Sequence, residues 1–114
     1  MKSATVATVS RPTARLTMLV PLMTNGGRRF QNQYFEHFEQ YVTEIAGGIS
    51  READVFGRWR KGKRTYRDHN RRYFTNIGIE TADTVAPQIA SYIRRHFRQH
   101  AAYLEISQTK IVGF

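Results

Sequence analysis

The residues best suited to binding chemistry lie between positions 58 and 72, where eight lysines and arginines occur with a single acidic residue, Asp68. Such a concentration of cations attracts anions, and aromatic rings among them can stack on nucleic-acid bases. The sequence therefore predicts an anion-binding or nucleic-acid-binding hairpin that uses Arg58, Trp59, Arg60, Lys61, Lys63, Arg64 and Arg67. The alternative interpretation is a solvated hairpin tip that maintains solubility or meets an acidic protein.

A second candidate anion site is the loop formed by Gly26, Gly27, Arg28 and Arg29. Two adjacent glycines allow backbone N–H groups to converge, and two arginines can clamp a phosphate or a carboxylate. In its place before the first predicted helix, the loop resembles the phosphate cradle of acylphosphatases. It lacks their glycine spacing, and residues 50–57 offer no counterpart of their polar partner. The alternative is a plain Gly-Gly turn with two solvated arginines.

A possible pocket is indicated by His96 and His100, which are four residues apart on the second predicted helix. Helical periodicity places both on the arc that faces the core, a pocket or an interface. A shared metal would need a third ligand such as His37, His69 or Glu105. Packing at the helix end is the simpler interpretation, so no metal or cofactor is expected.

The rest of the sequence contains no P-loop, HExxH, Gly-x-Ser-x-Gly or GxGxxG motif. An enzyme would therefore have to use His96 or His100 as an acid or base in a pocket, and a non-catalytic function is favoured. The aromatic residues of the first predicted helix recur at helical spacing, which is typical of a core and not of a ligand pocket.

The elements that must position these residues begin with an apolar run at 15–23, which predicts an inner strand because both of its faces are apolar. Residues 1–14 are predicted to be a flexible tail or an added edge strand. Helical periodicity follows immediately after the turn at Gly26 and Gly27, and Gly47 with Gly48 predicts the end of this helix.

The second half of the chain predicts a long hairpin, with alternating strands at 49–60 and 73–79 and a basic tip at 61–71. Thr84 is expected to cap a second helix that carries Pro87 in its first turn and ends near His100. Residues 103–107 and 110–114 are predicted to form a final strand, or two short ones.

This order of elements, βαββαβ, predicts an α+β ferredoxin-like plait, an antiparallel sheet with two helices on one face. Trp59 and the strand register of Tyr73 are expected on the opposite face. Plaits commonly cover that face by dimerising, so a homo-oligomer is expected. An RNA-recognition motif is not indicated, because the third strand lacks the basic-Gly-aromatic-Gly-aromatic signature.

The length of 114 residues favours one domain, at 15–114. Because the chain contains no cysteine, disulfides and thiolate sites are excluded and a cytoplasmic location is favoured. No apolar run reaches the roughly 18 residues that a transmembrane helix requires, so no membrane partner is expected.

The segment Gly57-Arg58-Trp59-Arg60, together with the element order, resembles uncharacterised small bacterial plait proteins in which a Gly-x-Trp-x segment follows the first helix. The chain is also similar in character to the orphan proteins carried on integron gene cassettes, which are short and single-domain. These resemblances imply the plait fold and no particular activity or site residue.

Overall fold

The computed structural model describes residues 10–112, with side chains from residue 13 onward. Four strands and two helices alternate in the order β1 (Ser10–Pro21), α1 (Asn32–Ala46), β2 (Ser50–Lys61), β3 (Arg64–Gly78), α2 (Ile79–His96) and β4 (Tyr103–Val112). The strands form one antiparallel sheet in the order β2-β3-β1-β4. The protein is thus a mixed α+β structure, and its strand order is consistent with a ferredoxin-like plait.

Strand β1 lies inside the sheet, as its two apolar faces predicted, with β3 on one side and β4 on the other. It begins at Ser10, so residues 10–14 belong to this strand and are neither a tail nor a separate edge strand. The part of the predicted tail at 1–9 lies outside the described residues. The side chains of Leu16, Met18 and Val20 are fully buried under the helices.

Helix α1 starts at Asn32, later than predicted, because the preceding loop is held in another conformation. Phe30 N–H donates to the Leu22 carbonyl, and Met23 pairs with Arg29 in an isolated bridge. The predicted end is confirmed. Gly47 has φ 90°, a left-handed conformation that favours glycine, and its N–H donates to the Thr43 carbonyl.

Helix α2 begins at Ile79, directly after β3, so the prediction of a cap at Thr84 is wrong and Pro87 lies inside the helix. The earlier start is explained by the buried residues of this helix, which recur at helical spacing and begin at Ala82, before Thr84. They are Ala82, Ala86, Ile89 and Ile93. The helix ends at His96 and not near His100, and Arg98 then takes a left-handed conformation with φ 55°.

The hairpin turn between β2 and β3 consists of Gly62 and Lys63, and residues 64–71, which were predicted to be part of the tip, are strand. Gly62 has φ 63°, the positive value that the first central position of a tight hairpin turn requires. Strand β4 is continuous from Tyr103 to Val112, so the prediction of two short strands does not hold; residues 113 and 114 lie outside the described residues.

The core lies between the two helices and one face of the sheet, where Leu16 and Met18 of β1 join Phe38 of α1 and Ile89 of α2. Tyr73 belongs to this face and is 0% exposed, so the expectation that its register lines the open face is wrong. Its register is set by pairing with Met18, and opposite residues of an antiparallel pair share a face. Among the described residues, no helix is both long and apolar enough to cross a membrane.

Candidate functional site: a basic two-stranded arm

The predicted basic residues lie on a part of the hairpin that extends beyond the four-stranded sheet. Strand β1 ends at Pro21, which pairs with Asn70 of β3, and Leu22 N–H donates to the His69 carbonyl at 2.9 Å. Closer to the turn, β2 is the one strand of the described residues that pairs with β3. We call this two-stranded segment, residues 57–68, the arm.

The register of the arm distributes its cations over both of its faces. Arg58 pairs with Arg67, and Lys61 pairs with Arg64. Because successive strand residues point to opposite faces, one face carries Arg58, Arg60 and Arg67 and the other carries Lys61 and Arg64. Lys63 lies in the turn. The structure therefore brings together all seven residues of the predicted basic site, and all are exposed.

Two of the cross-strand pairs on the arm place like charges directly opposite each other: Arg58 with Arg67 and Lys61 with Arg64. Such pairs destabilise a sheet. Within residues 10–112, the salt bridges involve Arg51, Arg71 and Arg72, and none includes a cation of the arm. The arm therefore carries positive charge that the described part of the chain does not neutralise.

Trp59 is the aromatic centre of the arm. It is 46% exposed and stacks on Tyr66 of the opposite strand, with ring centroids 4.4 Å apart and planes 16° from parallel. Its Nε1–H donates to the Asp68 carboxylate at 2.6 Å. These two contacts orient the indole and engage the single acid of the arm as an acceptor, on the face that carries Lys61 and Arg64.

The sequence indicates a turn near Lys61, Gly62 and Lys63, but the predicted tip at 61–71 left Tyr66 and Asp68 outside the strands, so their contacts with Trp59 were missed. Once the turn is assigned to Gly62 and Lys63, counting outward along both strands pairs Trp59 with Tyr66. A glycine followed by one residue between alternating strands is a recognisable turn signal, so this pairing was available from the sequence.

At the base of the hairpin, where it joins the sheet, the arginines are paired with carboxylates, whereas among the described residues the cations of the arm are not. Arg71 is 7% exposed, donates from Nε to Asp54 at 2.8 Å and lies over the Phe35 ring at 4.6 Å. Arg72 donates to Glu52 at 3.1 Å. The hydrogen bond from Arg71 holds the pKa of the Asp54 carboxyl below its usual range. Both arginines of the predicted basic segment that lie here are thus paired within the protein.

A partly buried polar link reinforces the base of the hairpin. The Tyr73 hydroxyl donates to the Glu39 carboxylate at 2.6 Å, and Arg51 also donates to Glu39. Burial of the ring, followed by this hydrogen bond, raises the pKa of Tyr73 well above its usual range. This link ties β3 to α1 and to β2.

The glycine loop does not present the predicted cradle in full. Gly27 N–H donates to the Thr24 carbonyl at 2.9 Å, and Arg28 N–H donates to the Thr24 hydroxyl at 3.1 Å. These two donors are thus engaged inside the loop and do not converge on an external anion. Gly26, Gly27, Arg28 and Arg29 are all exposed residues, as expected for a solvated turn.

The predicted histidine pair is separated by the end of helix α2. His96 is partly buried and its Nε2–H donates to the Tyr34 carbonyl at 2.9 Å, with the Tyr92 ring centroid 4.8 Å away. His100 is exposed and lies beyond the helix, so the expected four-residue helical relationship is absent. His96 accordingly packs by its ring at the helix end, which agrees with the simpler interpretation, and the structure does not bring the two histidines to one site.

The structure instead places His100 opposite the arm. His100 and Tyr103 line one side of an open concavity, and Trp59, Lys61 and Arg67 line the other. The phenol ring of Tyr103 and the imidazole of His100 therefore lie near the cations of the arm. No group of three or more His, Asp or Glu side chains suited to a metal occurs among the described residues.

The arrangement is suited to attracting and holding an anion, and it offers Trp59 as a stacking surface beside the charges. No known protein-family model matches this chain, and no curated protein matches it in sequence.

Proposed function

We propose that this chain is a non-catalytic module that binds an anionic partner through the arm. The observation that carries the proposal is that the six cations of the arm are exposed and form no salt bridge among the described residues, and that four of them face each other as the pairs Arg58 with Arg67 and Lys61 with Arg64.

The physical reason is the cost of holding like charges together. Arg58 opposite Arg67, and Lys61 opposite Arg64, repel each other across adjacent strands. An anion placed against either pair would replace this repulsion by attraction. Arginine suits the purpose because its planar guanidinium can donate two parallel hydrogen bonds to a phosphate or carboxylate.

The proposal also includes a fold family and a cellular compartment. We propose that the α+β structure is a ferredoxin-like plait of the kind found in small bacterial and integron-cassette proteins, and that it works in the cytoplasm. The strand order supports the plait, and the absence of cysteine favours a reducing compartment.

We also propose that the module self-associates. Among the described residues, strand β4 pairs with β1 alone, and its side chains Ile106 and Val112 are 48% and 65% exposed. An open strand edge presents unpaired N–H and C=O groups that a second chain can extend. Light scattering on a sizing column should give a mass above 13.3 kDa, and a monomer at tens of micromolar would contradict self-association.

The test of anion binding uses two variants with equal changes in charge. The arm variant is R58Q/K61Q/R64Q/R67Q, and the control is R28Q/R29Q/R94Q/R95Q, whose four arginines are exposed and lie off the arm. Anisotropy with labelled polyglutamate and a labelled oligonucleotide measures binding of two unrelated polyanions.

We expect the arm variant to lose binding and the control to retain it. Equal losses in the two variants would mean that net charge alone is responsible, and no binding of either polyanion by the unaltered protein would refute the proposal.

A further inference from the structure

We infer that the anionic partner of the arm is double-helical DNA, and that the arm lies in the major groove with its two cationic faces turned to the two phosphate backbones. This inference rests on the proposed anion-binding function and goes beyond it, since it names the partner and the mode of contact.

The distribution of charge over two faces carries the inference. A flat acidic surface, or a single strand laid along the arm, would contact one face and leave the cations of the other in solvent. A groove has anionic walls on both sides. Arg58, Arg60 and Arg67 would meet one wall, while Lys61 and Arg64 meet the other.

The dimensions of the arm agree with this mode. The major groove is about 12 Å wide and admits a two-stranded ribbon. The arm is two strands wide, and from the pair Gly57 and Asp68 to the pair Lys61 and Arg64 it is roughly 13 Å long at about 3.3 Å per residue, which is its extent along the groove. Because β1 ends at Pro21, no third strand among the described residues broadens this part of the sheet.

The aromatic residues favour a duplex over stacked single-stranded bases. Trp59 and Tyr66 already stack on each other, so one face of each ring is occupied. The hydrogen bond from Trp59 to Asp68 also fixes the indole and keeps a carboxylate beside it. The cations lie on both faces of the ribbon, and all of them are exposed.

The partner is contacted mainly through phosphates, so binding should depend weakly on base sequence and strongly on salt. If all six cations of the arm contact phosphates, the logarithm of the association constant should fall with log salt at a slope of roughly −5 for a duplex.

The experiment measures this slope for the whole protein with a labelled duplex and with one of its strands, between about 50 and 200 mM salt. Two variants each remove one like-charge pair: R58Q/R67Q on one face and K61Q/R64Q on the other. The control is R94Q/R95Q, which removes the same charge from the exposed side of helix α2.

We expect the duplex to bind more tightly than the single strand. Each arm variant should reduce the magnitude of the slope by about 1.8 and weaken duplex binding more than tenfold at low salt, while the control changes neither by as much.

Three outcomes would overturn the inference: a loss confined to one face, single-strand binding equal to or tighter than duplex binding, or preference for polyglutamate over the duplex. Each of them leaves an arm that binds anions, so the proposed function would stand. Failure of the unaltered protein to bind any of these polyanions would refute both.

Discussion

The base and the arm of one hairpin use the same residue type in opposite ways. At the base, Arg71 and Arg72 pair with Asp54 and Glu52 on the neighbouring strand. On the arm, Arg58 lies opposite Arg67, and no carboxylate in the described part of the chain is paired with either. A basic segment that is continuous in sequence is therefore divided into a structural part and a part available to a partner.

The paired arginines lie where the helices cover the sheet, and the cations of the arm lie beyond that covered region. Where α1 covers β3, Arg71 is buried over Phe35, and an unpaired buried charge would be strongly destabilising, so it has an acidic partner. Beyond β1 the arm is exposed, and an unpaired cation there is solvated at little cost. Positive charge without a partner is therefore tolerated on the arm and not at the base.

The largest expected difference between the base and the arm is in the free energy of unfolding after one aromatic residue of each is replaced. Tyr73→Ala should destabilise the fold by about 3–5 kcal/mol, because the ring is fully buried against Phe38. Trp59→Ala on the arm should cost less than about 1 kcal/mol, since the indole is half exposed and stacks on one neighbour. Urea unfolding measures both free energies. Similar losses would show that the arm is as integral to the core as the base.

A smaller effect on stability is expected at low pH, where the ion pair between Asp54 and Arg71 is lost. The pKa of Asp54 is lowered in the folded state, so its ion pair with Arg71 stabilises the protein above the unfolded pKa of about 3.9 and is lost as the pH falls through the folded value. Asp54 is half exposed but its partner Arg71 is buried, so Asp54→Asn leaves that guanidinium with only an amide acceptor and should cost about 1–3 kcal/mol at pH 7. Urea unfolding of both proteins at neutral and strongly acidic pH measures the difference. A gap that persists after the carboxyl is protonated would contradict this role of its charge.

The smallest effect has the opposite sign. R58Q/R67Q should raise stability by a few tenths of a kcal/mol at low salt, because it removes a like-charge pair from adjacent strands. High salt should reduce the gain by screening the repulsion in the unaltered protein. Thermal unfolding of this variant beside R94Q/R95Q compares the arm with an exposed helix. Destabilisation of the arm variant alone would mean that these arginines support the structure.

Much of the fold was accessible from periodicity. The inner position of β1 followed from its two apolar faces, and the end of α1 followed from Gly47, whose positive φ suits glycine. The start of α2 was misplaced because Thr84 and Pro87 form a common cap signal, whereas the buried stripe from Ala82 onward extends the helix to Ile79. Packing of that stripe outweighed the local signal.

The sequence by itself determined that seven candidate residues, from Arg58 to Arg67, belong to one basic hairpin, since alternation and a glycine turn are local properties. Tertiary structure decided which cations are available. Arg71 donates a hydrogen bond to Asp54, which is 17 positions away in the sequence. Because α2 ends at His96, His100 lies outside the helix and lines the same concavity as Trp59. Such relations depend on cross-strand register and on where β1 and α2 stop, and both are set by packing of the whole core.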